Sequence, residues 1–341
     1  MEVRAKVLAV AATGLLALPT LASAQEYPWQ PDRPINIIVP WSAGGSTDQV
    51  TRVVAPILEE ALGVEIVVVN QPGASGSTGT KAALDAPRDG YTWTANAIAN
   101  NATYAITGLI ENTSIDDYEI YLHVANAPVV SVNAGSEFQD FTQLLAAMET
   151  GDVTVGTAGV NSSGGMALAA IKEAAEGDLP GARMITYDGG NPAVIAAASG
   201  EVVATTQLAV EQTEMIRAGR LRALTVLSDK ALNVEGIDPV PPITDFIPDF
   251  PVAADYFGVF IPKGAPAEVY QTVDQVWRDH VMNSDALQAY ATDRGAVFAP
   301  SYGADALAQA MPVVISEACS RVTRGEAVID PSEIGIDCPA E

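Results

Sequence analysis

The sequence predicts an α/β protein built as two α/β domains facing each other across a central cleft. Three observations predict it. Short β-rich runs alternate with amphipathic helices, the alternation restarts near the middle of the chain, and Gly/Ser loops recur where a strand hands over to a helix.

In the first half, residues 35–39 form a β-rich run and 40–45 a turn. Apolar Val50, Val53, Val54, Ile57, Leu58, Ala61 and Leu62 then recur on one side of a helix over 47–62. Ser46 and Gln49 have the spacing of a capping box at its start. Pro56 predicts a bend, because it removes one helical hydrogen bond. A strand over 65–69, a glycine-rich turn over 70–76, a short helix over 78–85 and a strand over 91–95 follow. This βαβαβ order predicts a parallel sheet with right-handed crossovers.

The pattern restarts after residue 125, with strands over 153–156, 184–187, 202–207 and 222–227. Helices between them run to 176, over 191–199 and to 217. Residues 229–256 carry Pro239, Pro241, Pro242, Pro248 and Pro251 and read as an irregular connection. A strand over 257–261 and helices over 268–282, 285–294 and 305–321 finish the chain. The expected division is one domain from 25–125 with 257–341, a second from 126–232, and a connection over 233–256.

Residues 1–24 read as a signal peptide. Arg4 and Lys6 give a basic start, 7–21 is apolar, and Ala22-Ser23-Ala24 is a small-residue cleavage site before Gln25. The apolar run is too short for a good membrane span, and no cysteine follows it to carry a lipid. The expectation is a cleaved, periplasmic chain. Removing 24 of 341 residues leaves 317, enough for two ordinary domains. Loss of Glu2, Arg4 and Lys6 takes the formal charge from −25 to −26. Such acidity argues against nucleic acid and anionic membranes, which need basic patches.

Cys319 and Cys338 are the only cysteines. In an oxidising compartment they can close a loop of about 20 residues, worth roughly 3 kcal/mol in the chain-entropy model; the alternative is two free thiols. His123 and His280 are the only histidines and stand far apart, so neither a metal nor another cofactor is expected.

Four loops share one character: Trp41-Ser42-Ala43-Gly44-Gly45-Ser46-Thr47-Asp48, Gly73-Ala74-Ser75-Gly76-Ser77, Asn161-Ser162-Ser163-Gly164 and Tyr187-Asp188-Gly189-Gly190-Asn191. Each joins a strand to a helix start. The first N–H groups of a helix lack internal partners and lie at the positive end of its dipole, so they bind a carboxylate or phosphate without a basic side chain. The P-loop pattern is absent, as is a G-x-G-x-x-G in the first βα turn, which argues against a nucleotide. No G-x-S-x-G elbow exists and neither histidine falls in these loops, so no enzyme is expected. A pair of catalytic carboxylates, as in a secreted hydrolase, stays open as an alternative.

At these loops the sequence resembles the TctC or Bug family, the extracytoplasmic receptors of tripartite tricarboxylate transporters. The resemblance covers 27–320. It rests on Tyr27-Pro28, Arg33-Pro34-Ile35 leading into Val39-Pro40, Gly44-Gly45-Ser46-Thr47-Asp48, Asn70, Pro72-Gly73-Ala74-Ser75-Gly76 and Asp89-Gly90-Tyr91-Thr92. Gly159 with Ser162, Tyr187 with Gly189-Gly190, Gly200, and the run from Ala218 through Gly219-Arg220-Leu221-Arg222 to Leu224 continue it. The resemblance implies a type II periplasmic-binding-protein fold, the Venus flytrap. It implies an organic-acid ligand (a di- or tricarboxylate, an aromatic acid or an amino acid) and a membrane permease as partner. A monomer is the default for a receptor that must close freely. A sensor subunit presenting its ligand to a membrane kinase is the alternative partner.

Carried over residue by residue, the resemblance assigns ligand binding to Ser42, Ala43, Gly44, Gly45, Ser46, Thr47 and Asp48, and to Ala95, Asn96 and Ala97. The second domain supplies Asn161, Ser162, Ser163, Gly164, Tyr187, Gly189, Gly190 and Gln207. The chain departs from the family in Trp41-Ser42-Ala43, where Phe-Pro-Pro is usual, and in Gly165, Asp188, Val203 and Gln207, where His, Lys and acidic residues are frequent. Trp41 has two readings, stacking on an aromatic acid or packing. So has Asp48, which can meet a ligand ammonium or cap its helix.

Overall fold

The computed structural model describes residues 27–175 and 179–339. The expected signal peptide lies outside them. The chain lays down β1 (Ile35–Val39), β2 (Ile66–Asn70), β3 (Thr92–Ala97) and β4 (Tyr118–Asn126) in one sheet. It then crosses to a second sheet for β5 (Val129–Asn133), β6 (Val153–Thr157), β7 (Ala182–Thr186), β8 (Ala204–Thr205) and β9 (Leu221–Val226). It returns to the first for β10 (Asp255–Pro262) and β11 (Val297–Tyr302). The sheet orders are β11-β4-β10-β3-β1-β2 and β7-β6-β8-β5-β9. Each sheet, with its helices, is one lobe.

The wholly parallel sheets expected from the βαβ order are not what forms. β1 pairs in parallel with β2 and β3, and β6 with β7 and β8, but β10 runs antiparallel to β3 and β4, and β5 antiparallel to β8 and β9. The strands that run against the rest are β10 and β11 in the first sheet and β5 in the second; β5 follows the outward passage and β10 the return. A strand arriving from the other lobe enters its sheet without a βα crossover to fix its direction.

The helices are α1 (Ser46–Leu62), α2 (Ser77–Asp85), α3 (Ile98–Thr103), α4 (Phe141–Thr150) and α5 (Ser163–Ala174). After them come α6 (Gly190–Ser199), α7 (Ala209–Arg217), α8 (Ala267–Val276), α9 (Asp285–Arg294) and α10 (Gly303–Thr323). The stripe of α1 does what its spacing requires: Val50, Val54 and Leu58 are fully buried, in one core with Ile35, Ile37 and Trp93. Each such side chain contributes about 1.5–3 kcal/mol of burial. The capping box does not form. Gly45 is the N-cap, Ser46 is already helical, and Gln49 donates to the Gly44 carbonyl instead. Pro56 lies on the exposed face and α1 runs unbroken through it.

The second lobe closes around Phe141, Leu144 and Met148 of α4, set against Val130, Val132 and Val155 of its sheet. In the first lobe, α10 packs on α3 and β4. Cys319 is joined to Cys338, and Ile336 in the tethered tail is buried.

Candidate functional site

The two lobes meet at the carboxyl ends of their parallel strands, as open α/β sheets place their sites. Four helix beginnings converge there. Ser46 and Thr47 of α1, Ser162 and Ser163 at the start of α5, Gly190 of α6, and Leu208 with Glu211 at the start of α7 line one interlobe cavity. Its volume is about 20 Å³, room for roughly one water. No lining residue is basic. A larger hollow, about 560 Å³, lies on the far side of Ser163, between α5 and α10. The starts of α3 and α5 reach it at Ala99 and Ser163, but those of α1, α6 and α7 do not, so the small cavity is the better candidate.

The glycines are there because the lobes come close. A Cβ on Gly44, itself at φ +81°, would sit 2.8 Å from Asn191 Nδ2 across the cleft. One on Gly189 would overlap Ser42 Oγ of the other lobe, whereas one on Gly190 would overlap the Glu211 carboxylate of its own lobe. The lobes also hydrogen-bond directly. The Ser42 N–H donates to the Asp188 carbonyl at 3.1 Å, and Asn100 Nδ2 donates to the Asn161 carbonyl.

Trp41, Ser46, Thr47, Ser162, Ser163, Gly190 and Gln207 thus line the cavity, and Ser42, Gly44, Gly45 and Gly189 form its rim through contacts across the cleft. Other expected residues stand apart. Asn96 accepts the indole N–H of the cavity-lining Trp41 on its Oδ1 at 2.9 Å. Asn96 donates to Asn101 Oδ1 and the Tyr104 hydroxyl, so with Ala95 and Ala97 it forms a buried floor rather than the wall. Asn161 Oδ1 accepts from Thr103 and from Arg321 of α10. Gly164 packs against Gln207. Tyr187 does not line the cavity; its hydroxyl donates to Glu201 at 2.8 Å. The Gly73–Ser77 loop is also outside, where Ser75 meets Gly159 of the other lobe. The fourth helix start belongs to α7.

Asp48 is bound within its own lobe. It accepts from the Gly44 N–H, from Arg52 Nε and from Asn70 Nδ2, each at 2.9 Å. Burial alone raises its carboxyl, but these donors and the Arg52 charge outweigh that and hold it below its ordinary value. Both oxygens are committed to holding the loop.

Sequence reasoning missed Glu211, Asn100 and Phe257, which also line the cavity. Glu211 matters most. Its Oε1 accepts the Ser46 N–H at 2.8 Å, and its Oε2 accepts the Leu208 N–H at 3.2 Å. Burial pushes it up to about 7, against those two amide hydrogen bonds. Asp255 stands nearby and accepts from Ser163 Oγ at 2.6 Å. Burial raises it to about 7 as well, with Glu317 adding to the rise. His123 is buried and stacked on Trp277, and burial depresses it to about 3, so it is neutral. It lies away from this cavity.

Two α/β lobes closing on a shared cavity define a solute-binding protein of the Venus-flytrap kind. Comparison with known proteins agrees. Residues 50–316 match the Tripartite tricarboxylate transporter family receptor, TctC, and the chain belongs to that family. It is 31% identical over 290 residues to the protein BugT of Bordetella pertussis, covering 82% of this chain and 84% of that one. Among solved structures it resembles the periplasmic binding protein BugD, with TM-score 0.77 and 22% identity over 87% of this chain and 99% of that one. It also resembles a Rhodopseudomonas palustris protein solved with adipate, with TM-score 0.76 and 22% identity over 86% and 98% of the two chains.

Proposed function

We propose that this receptor captures a small organic carboxylate between its lobes in the periplasm and passes it, unaltered, to the membrane permease of a tripartite transporter. The observation that carries the reading is the convergence of four helix beginnings, from both lobes, on a cavity without a basic side chain. The structural neighbour solved with adipate supports a carboxylate as guest. The ligand-binding residues are then those of the rim and wall, and the lobes are 25–125 with 257–341 and 126–232, joined through 233–256; the membership of the two sheets supports this division. The protein works as a monomer, since closure needs both lobes free to move.

A cavity this small admits a guest only when the lobes part. A ligand shifts that equilibrium by its differential affinity for the closed form. The test is a thermal-shift screen with mono-, di- and tricarboxylates, aromatic acids and amino acids. A ligand at 100 times its Kd stabilises by about 2.7 kcal/mol, so a rise of a few degrees is expected for one class, and the recovered ligand should have unchanged mass. No shift with any carboxylate defeats the reading, and a changed mass would make the protein an enzyme.

A further inference from the structure

Glu211 already holds the amide that a guest carboxylate would be expected to take. It accepts the Ser46 N–H at the start of α1 at 2.8 Å and the Leu208 N–H at the start of α7 at 3.2 Å. Gln207, with its amide turned so that its oxygen accepts the Ala158 N–H at 2.8 Å, donates to Glu211 Oε2 at 3.1 Å. The carboxylate abuts Gly190 and Gly45 so closely that a Cβ on Gly190 would overlap it. All its partners are neutral. The ionisable side chain of α9 that feels its charge is Tyr290, and Arg294 beyond it is paired with Glu214 and Asp293.

The buried polar atoms without a partner around the cleft are of both kinds: Asn161 Nδ2 at the start of α5 is a donor, and Asn126 Oδ1, beside Ser46, is an acceptor. Asn126, 2% exposed, donates from Nδ2 to Ser46 Oγ at 3.1 Å, while its Oδ1 is buried without a partner among the described residues. Asp255, beside Asn126 in the β4–β10 ladder, has another acid, Glu317, as its charged neighbour. A plain carboxylate entering this cleft would meet the Glu211 carboxyl with no basic side chain in the lining to offset it, and a dicarboxylate would bring a further acid group. A guest that carries its own cation reverses that balance.

Building on the reading that the guest is a carboxylate in this cleft, we propose that it also carries a positively charged nitrogen. It is an amino acid or comparable zwitterion, whose ammonium meets Glu211 and whose carboxylate takes the amides at the starts of α5 and α6. Glu211 is then the residue that separates zwitterions from simple acids.

The test uses matched pairs that differ only in the amino group: L-glutamate with glutarate, L-alanine with propionate, and L-phenylalanine with 3-phenylpropionate. Each is titrated calorimetrically into the wild-type chain and Glu211→Gln at constant pH. The expected result is at least tenfold tighter binding of the amino member of some pair to the wild-type protein, with that ratio lost or inverted in Glu211→Gln. The wild-type ratio stands even if the variant folds poorly. Equal or tighter binding of the des-amino acid overturns the proposal, including the case in which it tightens as pH falls and so binds with a proton on Glu211. A ratio that Glu211→Gln leaves intact also overturns it. If no member of any pair, and no other carboxylate, binds either protein, the receptor reading itself has failed.

Discussion

Gly189 sits in extended backbone, φ 172°, that any residue adopts. An alanine there costs its own lobe nothing. Its methyl would overlap Ser42 Oγ and come within 2.9 Å of the Ser42 nitrogen, both on the other lobe. Gly189→Ala should therefore leave the melting temperature in buffer within about a degree while weakening ligand binding roughly tenfold or more, as read by calorimetric titration. An unchanged affinity would show that the lobes do not close along this line. The same scale shows what a sequence can hide. Glu211 stands three residues after Leu208, in the first turn of a helix, where an acid ordinarily serves the dipole. It does bond the Leu208 amide, so its local pattern is satisfied. Only the fold brings Ser46, 165 residues away in sequence, to its other oxygen.

Among the elements, α5 has the side-chain cap that α1 lacks. Ser162 Oγ accepts the Gly165 N–H at 3.1 Å and donates to the Gly159 carbonyl at 2.7 Å. Ser162→Ala should cost about 1 kcal/mol, seen as a fall in melting temperature; no fall would mean that water replaces the cap. The strand-to-helix units were legible because each carries its period and its turn in one contiguous stretch: the α1 stripe behind Val39, or Gly189-Gly190 behind β7. What escaped were α3, β4, β5, α4 and β11. Of these, β4 finds its partners β10 and β11 more than a hundred residues downstream, so nothing adjacent in sequence announces its pairing. The Ser46 box failed for a related reason: the amide it would have served is the one drawn to Glu211.

For the whole molecule, two terms set the response to conditions. The Cys319–Cys338 bridge spans 19 residues and ties the C-terminal tail to α10. Replacing both cysteines by serine should remove roughly 3 kcal/mol and lower the melting temperature by several degrees. A melting temperature insensitive to reductant would contradict this. The buried acids set the pH trend. Asp255 ionises near 3.9 in an unfolded chain but near 7 in the fold. The folded state therefore binds its proton more tightly, and stability declines as pH rises from about 4 to about 7, then levels off. Asp255→Asn should narrow the difference in melting temperature between pH 5 and pH 8; an unchanged difference would place the titration elsewhere. Asp48 acts oppositely, contributing stability that is lost only in strong acid, below its ordinary value.

The clasp between Ser42 and Asp188 is made of peptide atoms alone. Such a fastening uses neither the Ser42 nor the Asp188 side chain, and it needs only that Gly189 beside it stay bare. A substitution at Trp41 or Glu211 that alters what the cleft accepts leaves this link between the lobes in place.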